Sequence, residues 1–463
     1  MHLTIVSLPV YYSESFFNFY KFNFIISSVF DNDFSLFYSC FVPLWTIIFL
    51  EVWKRRQFEL TYKWGCNDVK DTSENVLPSY REKAGNNFKY RPGKMAYEVH
   101  VYANKRRRGY VGSCITMLFF IMLVLLAVFS CMIFNLWLNA IYLPQNTKLS
   151  YFDGTIAESF WNYEYLVTAI VTTILCLALI ILDFAFIAVA HKLTEWECPR
   201  TRMDYINNYN FKLFCFYFVN YFTWPFYIAF GKDNLTGTPP EYTKVLGYKW
   251  QGCGPAGCSY EITIQLIIVM VIKPLFLNLY HFLAPRLMVH CKKSSSRQNI
   301  KHYSETMQTK WESDWFLLDE NEVSYDYVEL VIQFGFVTLF SSAFPLAALF
   351  AFINNLVEVR RDAQKYTKYH KRPIPRRVKD IGIWQPIFTF MAVLSILTNV
   401  FQMTLVSEAI PKWLYRNDND GNIGGYAASK LNNISVSTLV NHGLKVMEQS
   451  KSGVNFTQID QCL

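Results

Sequence analysis

Residues 114–138 run for 25 positions without a single charged side chain. As an α-helix, that stretch is about 37 Å long, more than the roughly 30 Å hydrocarbon core of a bilayer. Similar apolar runs lie at 34–53, 165–190, 211–230 and 262–283, each with a single charged residue, and at 383–406 with none, and a longer run at 327–359 is interrupted at Pro345. Composition agrees: 52% of the chain is hydrophobic and 17% charged, where a soluble protein carries about 25% charge. The pattern predicts an all-α fold, a polytopic transmembrane helix bundle of about eight spans.

The basic residues lie between the apolar runs rather than on an aromatic-interleaved surface, which argues against nucleic acid as a partner. They also set orientation. If 54–111 is cytosolic, inner connections carry 33 of the 44 Lys and Arg and outer ones nine, a strong positive-inside bias. The basic segments 285–324 and 360–380 then face the same side. The run between them must cross an even number of times, as two short arms turning near Ser341, Ser342 and Pro345. The sequons at Asn234, Asn433 and Asn455 all fall in segments this count places outside.

Residues 1–31 stay unassigned, because the N-terminus lacks the charged start and cleavage site of a signal peptide. Residues 32–411 form the membrane domain, and 412–463 a polar extracellular tail. Of eleven cysteines, Cys114, Cys131, Cys176 and Cys215 sit in apolar runs and read as core residues. Cys253 and Cys258 lie in a Gly/Pro loop and can pair if that loop faces an oxidising space. No Cys/His spacing suggests zinc, and no nucleophile elbow or phosphate loop suggests an enzyme.

Charges inside membrane spans are costly and mark function. Asp326 and Glu329 share a face on the rising arm of the hairpin, and Glu358 and Asp362 share one on the falling arm. Topology puts both pairs at the cytosolic ends, with Asn278 of the preceding span at similar depth. Four converging carboxylates repel one another unless a hard cation such as calcium, which takes six to eight oxygens, sits among them. The plainer reading is that Asp326 favours a helix N-terminus while Glu358 and Asp362 pair with Arg360, Arg361 or Lys365. Lys273, followed by Pro274, either lines an aqueous path that attracts anions or pairs with a buried acid such as Asp183. Asp183 has the same two readings. The aromatic run through Tyr217, Tyr221 and Trp224 reads as packing and interface anchoring, and His191 and His281 as structural.

Several segments resemble the anoctamins. Pro43-Leu-Trp and Phe49-Leu-Glu-Val-Trp-Lys-Arg-Arg-Gln resemble the family's second membrane helix. Glu197-Cys-Pro-Arg-Thr-Arg-Met-Asp-Tyr and Gly254-Pro-Ala-Gly-Cys resemble later segments. The longest match is Tyr327-Val-Glu-Leu-Val-Ile-Gln-Phe-Gly-Phe-Val-Thr-Leu-Phe, followed by Asn354-Asn-Leu-Val-Glu, Arg372-Pro and Lys379-Asp-Ile-Gly-Ile-Trp. The resemblance implies a dimeric, ten-helix fold of which this chain holds helices two to nine. It also implies activity as a calcium-activated chloride channel or phospholipid scramblase. Asn278, Asp326, Glu329, Glu358 and Asp362 then align with calcium ligands, and Lys273 with a basic pore residue.

The chain departs from that pattern in three ways. Phe282 stands where the family has a glutamate, removing one carboxylate. Ile272-Lys273-Pro274 lacks the family's glycine. The N-terminal domain, first helix and last helix, with its dimer contact, are missing, so the chain reads as a fragment, an incomplete gene model or a divergent member. The expected function is calcium-gated passive transport of anions (chloride) or phospholipid, with Ca2+ as cofactor, and membrane lipids and anions as partners. The alternative is a non-transporting tether or regulatory subunit with a degenerate calcium site. A homodimer is expected of the full-length family rather than of this shortened chain. The plasma membrane is the expected location, with an intracellular membrane as the alternative.

Overall fold

The computed structural model describes residues 33–67, 76–91, 96–146, 154–238, 241–245, 248–250, 252–253, 258–299, 314–315, 317–318, 324–372, 377–405 and 409–419. Asn433 and Asn455 lie outside them, as does the side chain of Cys176. Helices dominate. In chain order they are α1 (Asp33–Lys63), α2 (Pro78–Ala84), α3 (Ala103–Asn146), α4 (Gly154–Trp196) and α5 (Arg202–Phe226). α6 (Cys258–Ile267) passes through a π-helical turn (Ile268–Ile272) into α7 (Lys273–Asn299). α8 (Ser324–Leu339), α9 (Ala347–Gln364), α10 (Trp384–Leu405) and α11 (Ala409–Asp418) complete the set. The strands form only short antiparallel hairpins in connections, such as β1 (Phe88–Arg91) with β2 (Ala96–Val99).

Among the described residues, six stretches are long and apolar enough to cross a bilayer: Phe34–Lys63, Ala103–Leu138, Thr173–Trp196, Arg202–Gly231, Glu261–Cys291 and Trp384–Leu405. The remaining two of the eight expected spans are the arms of a hairpin, α8 with 16 residues and α9 with 18. Helices also outrun the apolar runs that announced them. Lys105 to Arg108 lie inside α3 rather than before it, since Lys and Arg are good helix formers and extend a span into water at little cost.

The hairpin reverses direction deep in the bundle: Leu339, Phe340 and Ser341 are all fully buried. A chain that leaves helical geometry in an apolar medium must find other partners for its polar groups. α10 supplies them. Ser341 Oγ lies 2.7 Å from Asn399 Oδ1, Asn399 Nδ2 donates to Thr338 O at 2.7 Å, and Ser342 Oγ lies 2.5 Å from Gln402 Oε1. Thr263 of α6 donates to Ala343 O at 2.8 Å.

The core joins α3, α4, α5, α6, α8, α9 and α10. Phe186 and Phe216 stack with ring centroids 4.1 Å apart, and Phe222 packs on Phe336 at 4.7 Å. α8 approaches α5 and α10 closely at Gly335, where a Cβ would come within 2.4 Å of Met391 Cε and 2.5 Å of Phe222 Cζ. α5 starts with a capping box: Asp204 N–H donates to Thr201 Oγ1 at 3.1 Å, and Thr201 N–H donates to the Asp204 carboxylate at 3.3 Å. Cys131 is buried as expected and Cys215 partly so, but Cys114 is exposed on the outer face of α3. A thiol is apolar enough to sit against lipid as readily as in a core.

Candidate cation site and polar wall

α8 begins and α9 ends at the same end of the hairpin, so the four acids of these helices come together there. Asp326 lies in the first turn of α8, where the helix dipole favours a negative charge. Glu329 follows one turn later. Glu358 and Asp362 lie on the last turns of α9, and Glu358 is buried at 7% exposure. Asn278 reaches the cluster from α7.

At the centre of the cluster is Arg361. Its Nη1 donates to Asn278 Oδ1 at 2.7 Å. Its Nη2 lies 3.4 Å from Glu358 Oε1 and 3.9 Å from Glu329 Oε2, and its Nε 3.3 Å from Asp362 Oδ1. One guanidinium thus touches four of the five residues singled out in the sequence. The fifth, Asp326, takes Lys365 Nζ and Tyr366 Oη, each at 3.3 Å. The ion-pair reading therefore holds for Glu358 and Asp362 through Arg361, whereas Lys365 goes to Asp326. Arg360 points to the exposed side.

A row of amides, which sequence reasoning missed, sets the posture of Asn278. Asn278 Nδ2 donates to Asn354 Oδ1 at 2.9 Å, Asn354 Nδ2 to Gln333 Oε1 at 3.0 Å, and Gln333 Nε2 to Asn355 Oδ1 at 2.8 Å. With its nitrogen committed, Asn278 turns its oxygen toward the acids. The signal was available: three carboxamides within the apolar hairpin are costly unless they bond one another. Phe282 lies on the rim, capped by the Arg286 guanidinium 3.4 Å from its ring centroid. Arg286 Nε also donates to Tyr369 Oη at 2.7 Å.

Carboxylate and amide oxygens are the hard donors that a divalent cation such as calcium takes. In donor type the cluster fits such an ion. In spacing it is held open around the arginine. Among the described residues, the only trio of acidic, Cys or His ligand atoms within 4.8 Å of one another is Asp233, Cys253 and Cys258. That trio is no metal centre, because Cys253 and Cys258 form a disulfide, the pairing expected from their loop. Asn234 beside it is exposed, and its Nδ2 donates to Phe230 O at 3.1 Å.

Further along the bundle, Lys273 hydrogen-bonds Tyr221 Oη, with its ammonium 3.8 Å from that ring's centroid. Asp183 accepts from Asn220 Nδ2 at 2.6 Å and lies within electrostatic reach of Lys273. Lys273, Tyr221, Asn220 and Asp183 therefore make one polar wall across α4, α5 and α7. Tyr221 belongs to this wall as well as to the aromatic packing assigned to it. Lys273 follows the π-helical turn, its N–H donating five residues back to Ile268 O. Pro274 after it has no N–H to give, which disfavours regular helical bonding at this point. His191 bonds Tyr205 and stacks on Tyr209, a structural role.

The anoctamin family model, described as "Calcium-activated chloride channel", matches residues 2–455. Mouse anoctamin-5 is 33% identical over 427 residues, covering 90% of this chain and 46% of the relative. Human anoctamin-7 is 32% identical over 394 residues, covering 84% of this chain and 41% of the relative. Human anoctamin-3 is 31% identical over 393 residues, with coverages of 84% and 39%. The chain thus spans less than half the length of these relatives. Helical spans, acidic hairpin and matched sequence together make it a multi-pass membrane protein of the anoctamin family.

Proposed function

We propose that this chain carries the transport path and the cation switch of a calcium-gated passive transporter of anions or phospholipid. The observation that carries this reading is the convergence of Asn278, Glu329, Glu358 and Asp362, from three helices, on one positive charge. Oxygens that surround a guanidinium are of the kind that surround a hard cation. Asn278, Asp326, Glu329, Glu358 and Asp362 would hold it. Bound calcium supplies two positive charges, which offset the mutual repulsion of carboxylates on different helices.

The chain's own residues give the rest. Asn278 ties α7 to the cluster, so the state of the acids bears on the helix that also carries Lys273. The Lys273 ammonium lowers the barrier to an anion along the wall, and Asp183, Asn220 and Tyr221 offer polar contacts to a sliding headgroup. We place the complete protein in the plasma membrane as a homodimer, with lipids and chloride or similar anions as its partners.

Reconstitution into liposomes tests this directly, with fluorescent-lipid and chloride-flux readouts taken with and without calcium. Calcium-dependent movement in either assay is expected. Flux that ignores calcium in both assays removes the proposal. Glu329→Gln combined with Glu358→Gln should abolish calcium dependence, and an unchanged response would show that these acids are not ligands. A non-transporting tether is the second reading. It is favoured by Phe282 in place of an acid and by the arginine already seated in the cluster, and calcium-dependent flux excludes it.

A further inference from the structure

We infer that Arg361 is a built-in competitor for the cation site: its guanidinium holds the acids in place of a divalent ion, which binds only as Arg361 withdraws. The inference rests on the ligand reading proposed above. The guanidinium uses the same lone pairs a metal would need, on Asn278 Oδ1, Glu358 Oε1, Glu329 Oε2 and Asp362 Oδ1. Asn278 has no second orientation to offer without breaking its bond to Asn354. The side chains of Arg361 and Glu358 are only 11% and 9% exposed, so that contact is poorly screened by water, while those to Glu329 and Asp362 are more open to it.

Three properties make this more than an interfacial ion pair. A guanidinium stays protonated at any physiological pH, so the competitor cannot be switched off by titration. Its planar fork can contact oxygens from several directions at once, which a lysine ammonium matches less well. It also borders unfilled space: a crevice about the size of one water molecule, lined by His281, Phe282, Pro285, Gln364, Lys365, Tyr369 and Arg361 itself, opens beside it. Lys365 plays the same part for Asp326. Four carboxyl groups face two cations here, an excess of oxygen donors that favours a divalent ion while the arginine opposes it.

The test is equilibrium binding of radioactive calcium to the purified full chain in nanodiscs, with no flux required. Arg361→Gln is expected to bind calcium about tenfold more tightly than the wild type, or better, the loss of one competing ion pair of about 1.4 kcal/mol. Adding Glu358→Gln to it should reverse that gain. If Arg361→Gln binds like the wild type while Glu358→Gln alone weakens binding, the competitor is refuted and the ligand reading stands. If Glu358→Gln changes binding in neither background, the ligand reading fails and takes the competitor with it. A second measurement on the wild type guards against misfolding of the variant. Phenylglyoxal modification of Arg361, followed by mass spectrometry, should rise when calcium is added; modification that stays level or falls overturns the inference.

Discussion

Lys212 and Glu197 sit 2.8 Å apart with side chains 6% and 3% exposed. Lys212 also donates to Thr194 Oγ1 and Asn208 O, and Asn208 Nδ2 donates to Glu197. Each charge is neutralised and each donor placed, the condition for a buried pair to persist. Removing one partner strands the other, so Lys212→Met should destabilise the bundle by about 3–5 kcal/mol, read as a fall in detergent melting temperature. The pair at the acidic cluster differs: Arg361 meets several acids at 3.3–3.9 Å. Its hold is divided among them, as suits a contact meant to be broken. The acids were legible in the sequence because carboxylates in apolar helices are conspicuous. Arg361 was visible only as one of three candidate partners, since spacing along a helix does not say which cation a partner helix leaves room for. The amide row was missed for the opposite reason: Asn and Gln carry no charge, and only the approach of α7, α8 and α9 makes them a chain.

At the scale of elements, the hairpin is where sequence and structure agree most closely. Charge counting required two short arms with a turn at 341–345, and α8 and α9 close there. What the count could not give is the contact that makes the turn tolerable. Gly335→Ala should cost roughly 1–3 kcal/mol through overpacking against Phe222 and Met391, checked by thermal unfolding. Asn399→Leu should cost more than a surface change, because it strands the Ser341 hydroxyl and the Thr338 carbonyl. The segment after α9 carries a pH-sensitive joint. His370 is buried at 5% exposure, which holds its imidazole below its ordinary 6.5. Its backbone and that of its neighbours pair with Leu318: Leu318 N–H donates to Tyr369 O and Lys371 N–H to Leu318 O. The folded state prefers the neutral ring, so this stability is complete above 6.5 and declines as pH falls below it. Hydrogen exchange at Leu318 and Lys371 should accelerate on acidification from neutral pH, and His370→Gln should flatten that dependence. The helix α11 escaped the sequence reading, which saw only a polar tail there; it runs against α1 and α10, a contact that local polarity does not reveal.

For the whole molecule, alternation of apolar runs and basic connections fixes a helical membrane bundle, and the family match extends it over nearly the whole chain. Orientation has its own check. The Cys253–Cys258 disulfide and Asn234 lie at the same end, with Gly252 packed near Asp233 and Thr236, and a disulfide persists in an oxidising compartment, where a sequon is also open to glycosylation. Asn234→Gln should abolish an endoglycosidase-sensitive mobility shift attributable to that site; a wild-type chain insensitive at Asn234 would argue against the assigned orientation. The buried turn between α8 and α9 has a further consequence, for synthesis. Its partners Asn399 and Gln402 lie about 60 residues downstream, so they leave the ribosome after the turn itself. At a few residues per second or faster, the nascent hairpin must wait with unsatisfied hydroxyls and carbonyls until α10 arrives. The translocon or a membrane chaperone has to shelter it in that interval. Nascent chains arrested before residue 384 should therefore hold the hairpin loosely and be degraded quickly, while chains extended past Gln402 should lock it in place.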